Sequence, residues 1–148
     1  MVTLSKSSLG SGIREDETLG DTRGDLEEIE VLLARYGNRL DRSDHSGWVD
    51  LFTTDGRFEV YGRSFEGPEG LLRMAESAPG GLHLTSAALI EIDGDSATVE
   101  QSFLFVDQVS HESRIGWYDD QLVRTSEGWR FQVRRSTFLT PDGPSDRP

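Results

Sequence analysis

The chain contains no cysteine. It can hold neither a disulfide framework nor a thiolate metal site, and its redox compartment is left open. No apolar run approaches the roughly 18 residues of a membrane span. The opening MVTLSKSSLGSG lacks the long apolar core of a secretory signal. The expectation is a cytoplasmic protein with no membrane partner. Basic charge is also scarce: 15 Lys and Arg stand against 27 Asp and Glu, a net charge of −12. That balance argues against nucleic acid or an anionic membrane as partner, since phosphates demand a basic face. Half of the charge is local, because between Arg14 and Glu30 eight acids meet two arginines. Such a cluster reads as a solvated segment rather than an active-site field. GxGxxG, GxSxG and HExxH are all absent, so a nucleotide-phosphate loop, a serine-hydrolase elbow and a zincin-type metal site have no support.

What is present fits one domain. A chain of 148 residues buries about two thirds of its unfolded surface. Residues 1–23, rich in Ser, Gly, Asp and Glu, are expected to form a flexible tail, the folded domain to span 24–140, and 141–148, with three prolines, to form a second tail. Leu26, Ile29, Leu33, Tyr36 and Leu40 recur at steps of three or four, which predicts an amphipathic helix starting near Asp25 as N-cap. Asp41 falls where that helix should end, facing the negative end of its dipole. A short helix capped by Ser43 or Asp44 should bury Trp48, Leu51 and Phe52. Thr54-Asp55-Gly56 reads as a turn, 57–67 as a hairpin, and Gly67-Pro68 as the start of a third helix. Strand chemistry then takes over: 82–92, a hairpin at Asp93-Gly94, then 96–109, 114–125 and 129–139. Helices followed by a meander of long strands predict an α+β fold, with helices packed on one face of a strongly bent, mainly antiparallel sheet that leaves a cone-shaped cavity.

Several polar residues are candidates for that cavity. Tyr36 places a phenol in the apolar helix stripe. His83 lies near a strand start, in phase with the small residues Thr85 and Ala87, which leaves room for a ligand. Asp107 ends a strand face containing Val99, Phe103 and Phe105; it is either where that face emerges into water or an inward carboxylate at a cavity rim. Tyr61 and Trp117 or Tyr118 are aromatic candidates for the lining. Alternation places Arg130 and Arg134 on one face, opposite Trp129, Phe131 and Val133, and so on the outer surface.

Taken in order, YxxxxD (36–41), WxxLFxxDxxF (48–58), a Gly-Pro helix, HxTS (83–86), DGD (93–95), GWYDDQLVR (116–124) and GWRF (128–131) resemble the SnoaL-like branch of the NTF2-like superfamily. More narrowly, they are similar to the subgroup containing scytalone dehydratase and bile-acid 7α-dehydratase. The resemblance covers about residues 24–140 and implies a cone-shaped α+β barrel closed by helices, with catalytic groups projecting into an apolar cavity. It implies catalytic roles for Tyr36, Asp41, His83 and Asp107, and substrate contacts from Tyr61, Phe103, Phe105, Trp117 and Tyr118. No metal or cofactor is implied, and a homodimer or homotrimer is. Leu40 stands where the scytalone enzyme has a tyrosine.

The expected chemistry is that of a cofactor-independent dehydratase or isomerase for a hydrophobic polycyclic, polyketide- or steroid-like substrate. His83, oriented by Asp41, would remove a proton beside a carbonyl; Tyr36 and Tyr61 would stabilise the enolate, and Asp107 would assist the leaving hydroxyl. Two alternatives stand beside it. A ligand-binding or assembly subunit would show a filled core, with His83 and Asp41 apart. An epoxide hydrolase or cyclase of the limonene-epoxide-hydrolase type would need an inward Asp–Arg–Asp set, with Arg39, Arg114 or Arg130 in the cavity.

Overall fold

The computed structural model describes residues 2–4 and 15–145, with side chains from residue 22 onward. In chain order the elements are β1 (Val2–Leu4), α1 (Glu15–Asp41), α2 (His45–Val49), β2 (Phe52–Val60), β3 (Arg63–Glu66), α3 (Gly67–Ser77), β4 (Gly81–Thr85), β5 (Leu89–Asp93), β6 (Ser96–Asp107), β7 (Ser113–Thr125), β8 (Gly128–Thr140) and β9 (Gly143–Pro144). The strands form an open sheet in the order β1-β5-β6-β7-β8-β2-β3, with β4 also on β6 and β9 on β8. Pairing is antiparallel except for β1 with β5 and β2 with β8. The fold is thus α+β, with helices flanking a mostly antiparallel sheet. Among the described residues no helix is long and apolar enough to cross a membrane.

The helices form where the apolar spacing demands. Ile29, Leu33 and Tyr36 of α1 are buried, Leu26 and Leu40 partly so, and Leu32 joins them. Helix α1 begins at Glu15, not at Asp25. Asp25 is no N-cap: its carboxylate holds Arg124 at 2.6 and 2.7 Å and accepts from the Trp129 indole at 3.0 Å. The first-tail expectation therefore falls partly on strand (2–4) and helix (15–23); residues 1 and 5–14 lie outside the described residues. Helix α2 is capped by Asp44, whose Oδ1 accepts from Gly47 N–H at 3.1 Å, and it buries Trp48. Helix α3 carries Pro68 in its first turn and buries Leu71, Met74 and Ala75. The second tail folds back as β9, and Ser145 exchanges two hydrogen bonds with the Phe138 backbone.

Three irregularities bend the sheet. Thr54-Asp55-Gly56 is not a turn but lies inside β2, where the pairing with β8 shifts register between Phe52 and Arg57. The strand expected over 82–92 breaks into β4 and β5, both on β6. Thr85 pairs with Phe103 and Leu89 with Glu100, four steps against three, so one extra residue bulges out. Ser86 fills the break: its Oγ accepts from Ser102 N–H at 3.1 Å, and its carbonyl accepts from Gln101 Nε2 at 2.9 Å. The third lies in β8, where Gln121 pairs with Val133 but Leu122 with Phe131, leaving Gln132 as the extra residue. On the outward face of β4, β6 and β7, exposed Leu82, Leu84 and Ile115 flank half-buried Leu104 and Val106 in one apolar row.

Candidate active site

Helices α1 and α3 and the bent sheet enclose a cavity of about 280 Å³, open at one end. Tyr36 and Leu40 of α1, Phe58 of β2, Met74 of α3, Phe103 and Phe105 of β6 and Phe138 of β8 make it mainly apolar. His83, Tyr118, Ser136 and, at its rim, Arg114 supply polar groups.

The end of α1 meets the start of β4 at this cavity. Asp41 Oδ1 lies 2.5 Å from His83 Nδ1, and Oδ2 accepts from the His83 backbone N–H at 3.0 Å. Both side chains are 12% exposed. A carboxylate can only accept, so Nδ1 carries the proton and Nε2 is the free basic nitrogen of the neutral ring. The imidazole packs on Phe105 with ring centroids 4.8 Å apart and stands edge-on to Tyr36. Gly37 of α1 faces His83, and a Cβ there would meet the His83 Cβ at 3.4 Å, an ordinary van der Waals contact. A polar residue at a helix end and a histidine on a distant strand thus form one hydrogen-bonded pair in the cavity wall.

Deeper in, the Tyr36 and Tyr118 rings meet at 5.4 Å. Burial pushes both phenols above their ordinary value, so at neutral pH they are hydrogen-bond donors. Behind them lies a group that alternation misplaced. Arg134, expected on the outer surface, is fully buried. Its Nε and Nη2 donate to Asp120 at 2.7 and 3.0 Å, and its guanidinium stacks 4.1 Å from the Tyr36 ring and 3.8 Å from the Tyr118 ring. Burial works against the Arg134 charge, and Asp120 outweighs it, so the guanidinium stays charged. The cause of the misplacement is the bulge at Gln132, which shifts the phase of β8 by one and turns Arg134 and Ser136 inward. A signal existed in the sequence: Asp119-Asp120 and Arg134-Arg135 lie in register on neighbouring strands, two acids facing two bases, of which only one pair can face water.

The other candidates divide. Phe103, Phe105 and Tyr118 line the cavity. Tyr61 is 53% exposed and stacks on Phe138 at the mouth, 5.1 Å between centroids and 12° between planes. Trp117 is not in the lining: adjacent strand residues face opposite ways, and it sits on the outer face between Ser102 and Thr137. Asp107 is not brought to the cavity either. Its Oδ1 accepts from the Val109 and Ser110 N–H groups at 2.8 and 3.0 Å, closing the turn after β6, and those donors hold its carboxyl below the usual range. Arg39 and Arg130 donate to the carbonyls of Gly47 and Trp129. Among the described residues no three His, Asp or Glu side chains converge as a metal site would require.

Comparison with known proteins agrees with this architecture. The model of the SnoaL-like domain matches residues 21–135. An uncharacterized protein of Mycobacterium tuberculosis, Rv2910c, is 27% identical over 119 residues, covering 73% of this chain and 80% of that one. Among solved structures, a variant of Rv3472, a protein of unknown function from Mycobacterium tuberculosis, is 31% identical with a TM-score of 0.71, covering 76% of this chain and 75% of that one. An NTF2-like protein with a cystatin-like fold from Novosphingobium aromaticivorans is 25% identical with a TM-score of 0.76, covering 86% and 92%. The hexachlorocyclohexane dehydrochlorinase LinA, at 15% identity and a TM-score of 0.67 over 85% and 90% of the two chains, shares the fold. With the family's model matched over residues 21–135, from within α1 to within β8, this chain belongs to the SnoaL-like domain family.

Proposed function

We propose that this protein is a cofactor-independent lyase or isomerase that works by general acid–base catalysis on a hydrophobic ring ketone or hydroxyketone. The observation that carries the proposal is the Asp41–His83 pair in the cavity wall, which leaves Nε2 as a base beside an apolar space. Nε2 takes a proton from a carbon next to the substrate carbonyl, and the C–H electrons move into an enolate. The Tyr36 and Tyr118 phenols hydrogen-bond each other, so one of them donates its proton to the oxygen that gains charge and the other supports that donor. In a dehydration the enolate expels a hydroxyl β to the carbonyl, and the imidazolium returns its proton to it, giving water. In an isomerisation the proton returns to another carbon. The acid role expected of Asp107 falls to the imidazolium, because Asp107 is committed to its turn.

Proton transfer by a positioned base contributes about 10²–10⁴-fold, and each oriented oxyanion donor about 10²–10³-fold. A cavity of about 280 Å³ is about twice the roughly 150 Å³ that accommodates benzene. One or two fused rings fit inside, and a larger polycyclic substrate would leave rings at the mouth. An assembly subunit has no need of this hollow or of the dyad beside it. Of the arginines an epoxide hydrolase would need in the cavity, Arg114 reaches the lining, but no aspartate lines it beside that arginine, and the Asp120–Arg134 pair lies behind the Tyr36 and Tyr118 rings.

The test is deuterium exchange at the acidic carbon of 2-tetralone, a two-ring ketone, followed by proton NMR in D2O. The wild type should accelerate exchange above buffer, and His83→Ala should return it to the buffer rate with an unchanged circular dichroism spectrum. A wild type no faster than buffer, or a His83→Ala protein as fast as wild type, would overturn the proposal.

A further inference from the structure

The cavity carries one group that the acid–base scheme does not use. Among the residues lining it, Arg114 is the only lysine, arginine, aspartate or glutamate. On a chain of net charge −12, six of the twelve arginines with described side chains are engaged: Arg57, Arg124, Arg134 and Arg135 hold carboxylates, and Arg39 and Arg130 hold carbonyls. Arg114 makes no hydrogen bond or ion pair among the described residues. Its charge is felt by Asp107, as the weakest of the influences on that carboxyl.

Register fixes the face on which Arg114 stands. His83 pairs with Phe105 on one side, and Phe105 pairs with Arg114 on the other. Directly opposed residues of antiparallel strands share a face, so the three side chains form a row on the cavity side. Strands lie about 4.8 Å apart, which sets the His83 and Arg114 backbones roughly 10 Å apart across the Phe105 ring. A flat ring lying on Phe105 meets the imidazole at one edge and the guanidinium at the other.

We infer that Arg114 forms an anion subsite at the cavity rim, and that the natural ligand is a one- or two-ring compound bearing a carboxylate at the edge remote from the carbon facing His83. Planar guanidinium matches carboxylate with two parallel bonds. The inference rests on the cavity being the ligand site, as proposed above, but not on His83 acting as a base.

The test is binding by isothermal titration calorimetry with 2-naphthoate and its neutral counterpart 2-naphthamide. Wild type should prefer the carboxylate by about tenfold, the low end for a charge-assisted bond because Arg114 is accessible to water. Arg114→Gln should abolish that preference while leaving naphthamide binding as it was, Arg114→Lys should retain part of it, and His83→Ala should retain all of it. The preference should also shrink as salt rises. Equal affinities in the wild type, failure of both ligands to bind, or a preference that survives Arg114→Gln would each overturn the assignment. A wild type that prefers naphthoate yet exchanges no tetralone proton would sink the acid–base scheme and leave the subsite standing.

Discussion

Replacing Asp41 with Asn isolates the tautomer of His83. The wild-type carboxylate accepts twice, from the His83 backbone N–H at 3.0 Å and from Nδ1 at 2.5 Å. An amide has one acceptor and one donor end. The backbone N–H can only donate, so the amide oxygen must face it and the NH2 group must face the ring. Nδ1 then has to accept, the proton moves to Nε2, and the lone pair that faced the cavity is gone. The variant should keep its fold, because one bond is preserved and another of reversed polarity replaces the second. The stability loss should stay at about 1–3 kcal/mol, the cost of weakening a buried charge-assisted bond. Proton exchange should fall by about 10²–10⁴-fold, the full worth of a positioned base. Nitrogen-15 NMR of the labelled imidazole reads the tautomer without any substrate, and 2-tetralone exchange reads the rate. An Asn variant whose Nδ1 remains protonated, with exchange at the wild-type rate, would refute the reasoning.

Other expectations follow from the same geometry. Arg134→Met leaves Asp120 buried without its partner and should cost about 3–5 kcal/mol in urea denaturation, whereas adding Asp120→Leu should restore most of that loss; a double variant as unstable as the single one would contradict the pairing. Arg124, then the Trp129 indole, holds the Asp25 carboxyl below its ordinary value while burial opposes them. A carboxyl lowered on folding contributes stability above its unfolded value, near 3.9, and loses it as pH falls through the folded value. Melting curves between pH 7 and 3 should therefore drop less steeply for Asp25→Asn than for wild type; parallel curves would count against it.

Much of the scaffold was legible because helix periodicity is local. The Leu26–Leu40 stripe has a spacing that no long-range contact needs to supply, and its burial in α1 follows directly. Asp44 as the cap of α2 and Pro68 at the start of α3 are local too. Local patterning was least reliable where strands meet. Thr54-Asp55-Gly56 has turn chemistry, yet the chain carries it within β2 as the irregular stretch between Phe52 and Arg57, the residues that pair with β8 on either side. LHLTSAALIEI is one apolar-rich run, yet Ser86 stays bonded to Ser102 while one extra residue between Ser86 and Leu89 bulges out against β6 and divides it.

The site shows the same division. The sequence alone determined that a phenol, a carboxylate and an imidazole were available at Tyr36, Asp41 and His83, and that the first two belong to one helix. Tertiary structure decided that Asp41 grips two of the three His83 nitrogens, the ring Nδ1 and the backbone N–H, across a separation of 42 residues. It also chose Tyr118 over Trp117, committed Asp107 to a turn, buried Arg134 and left Arg114 at the rim. The physical reason is that alternation assigns faces only relative to an unbroken strand. A single inserted residue, Gln132, inverts every face beyond it, and what stabilises that insertion is pairing with a neighbouring strand rather than anything in the neighbouring sequence.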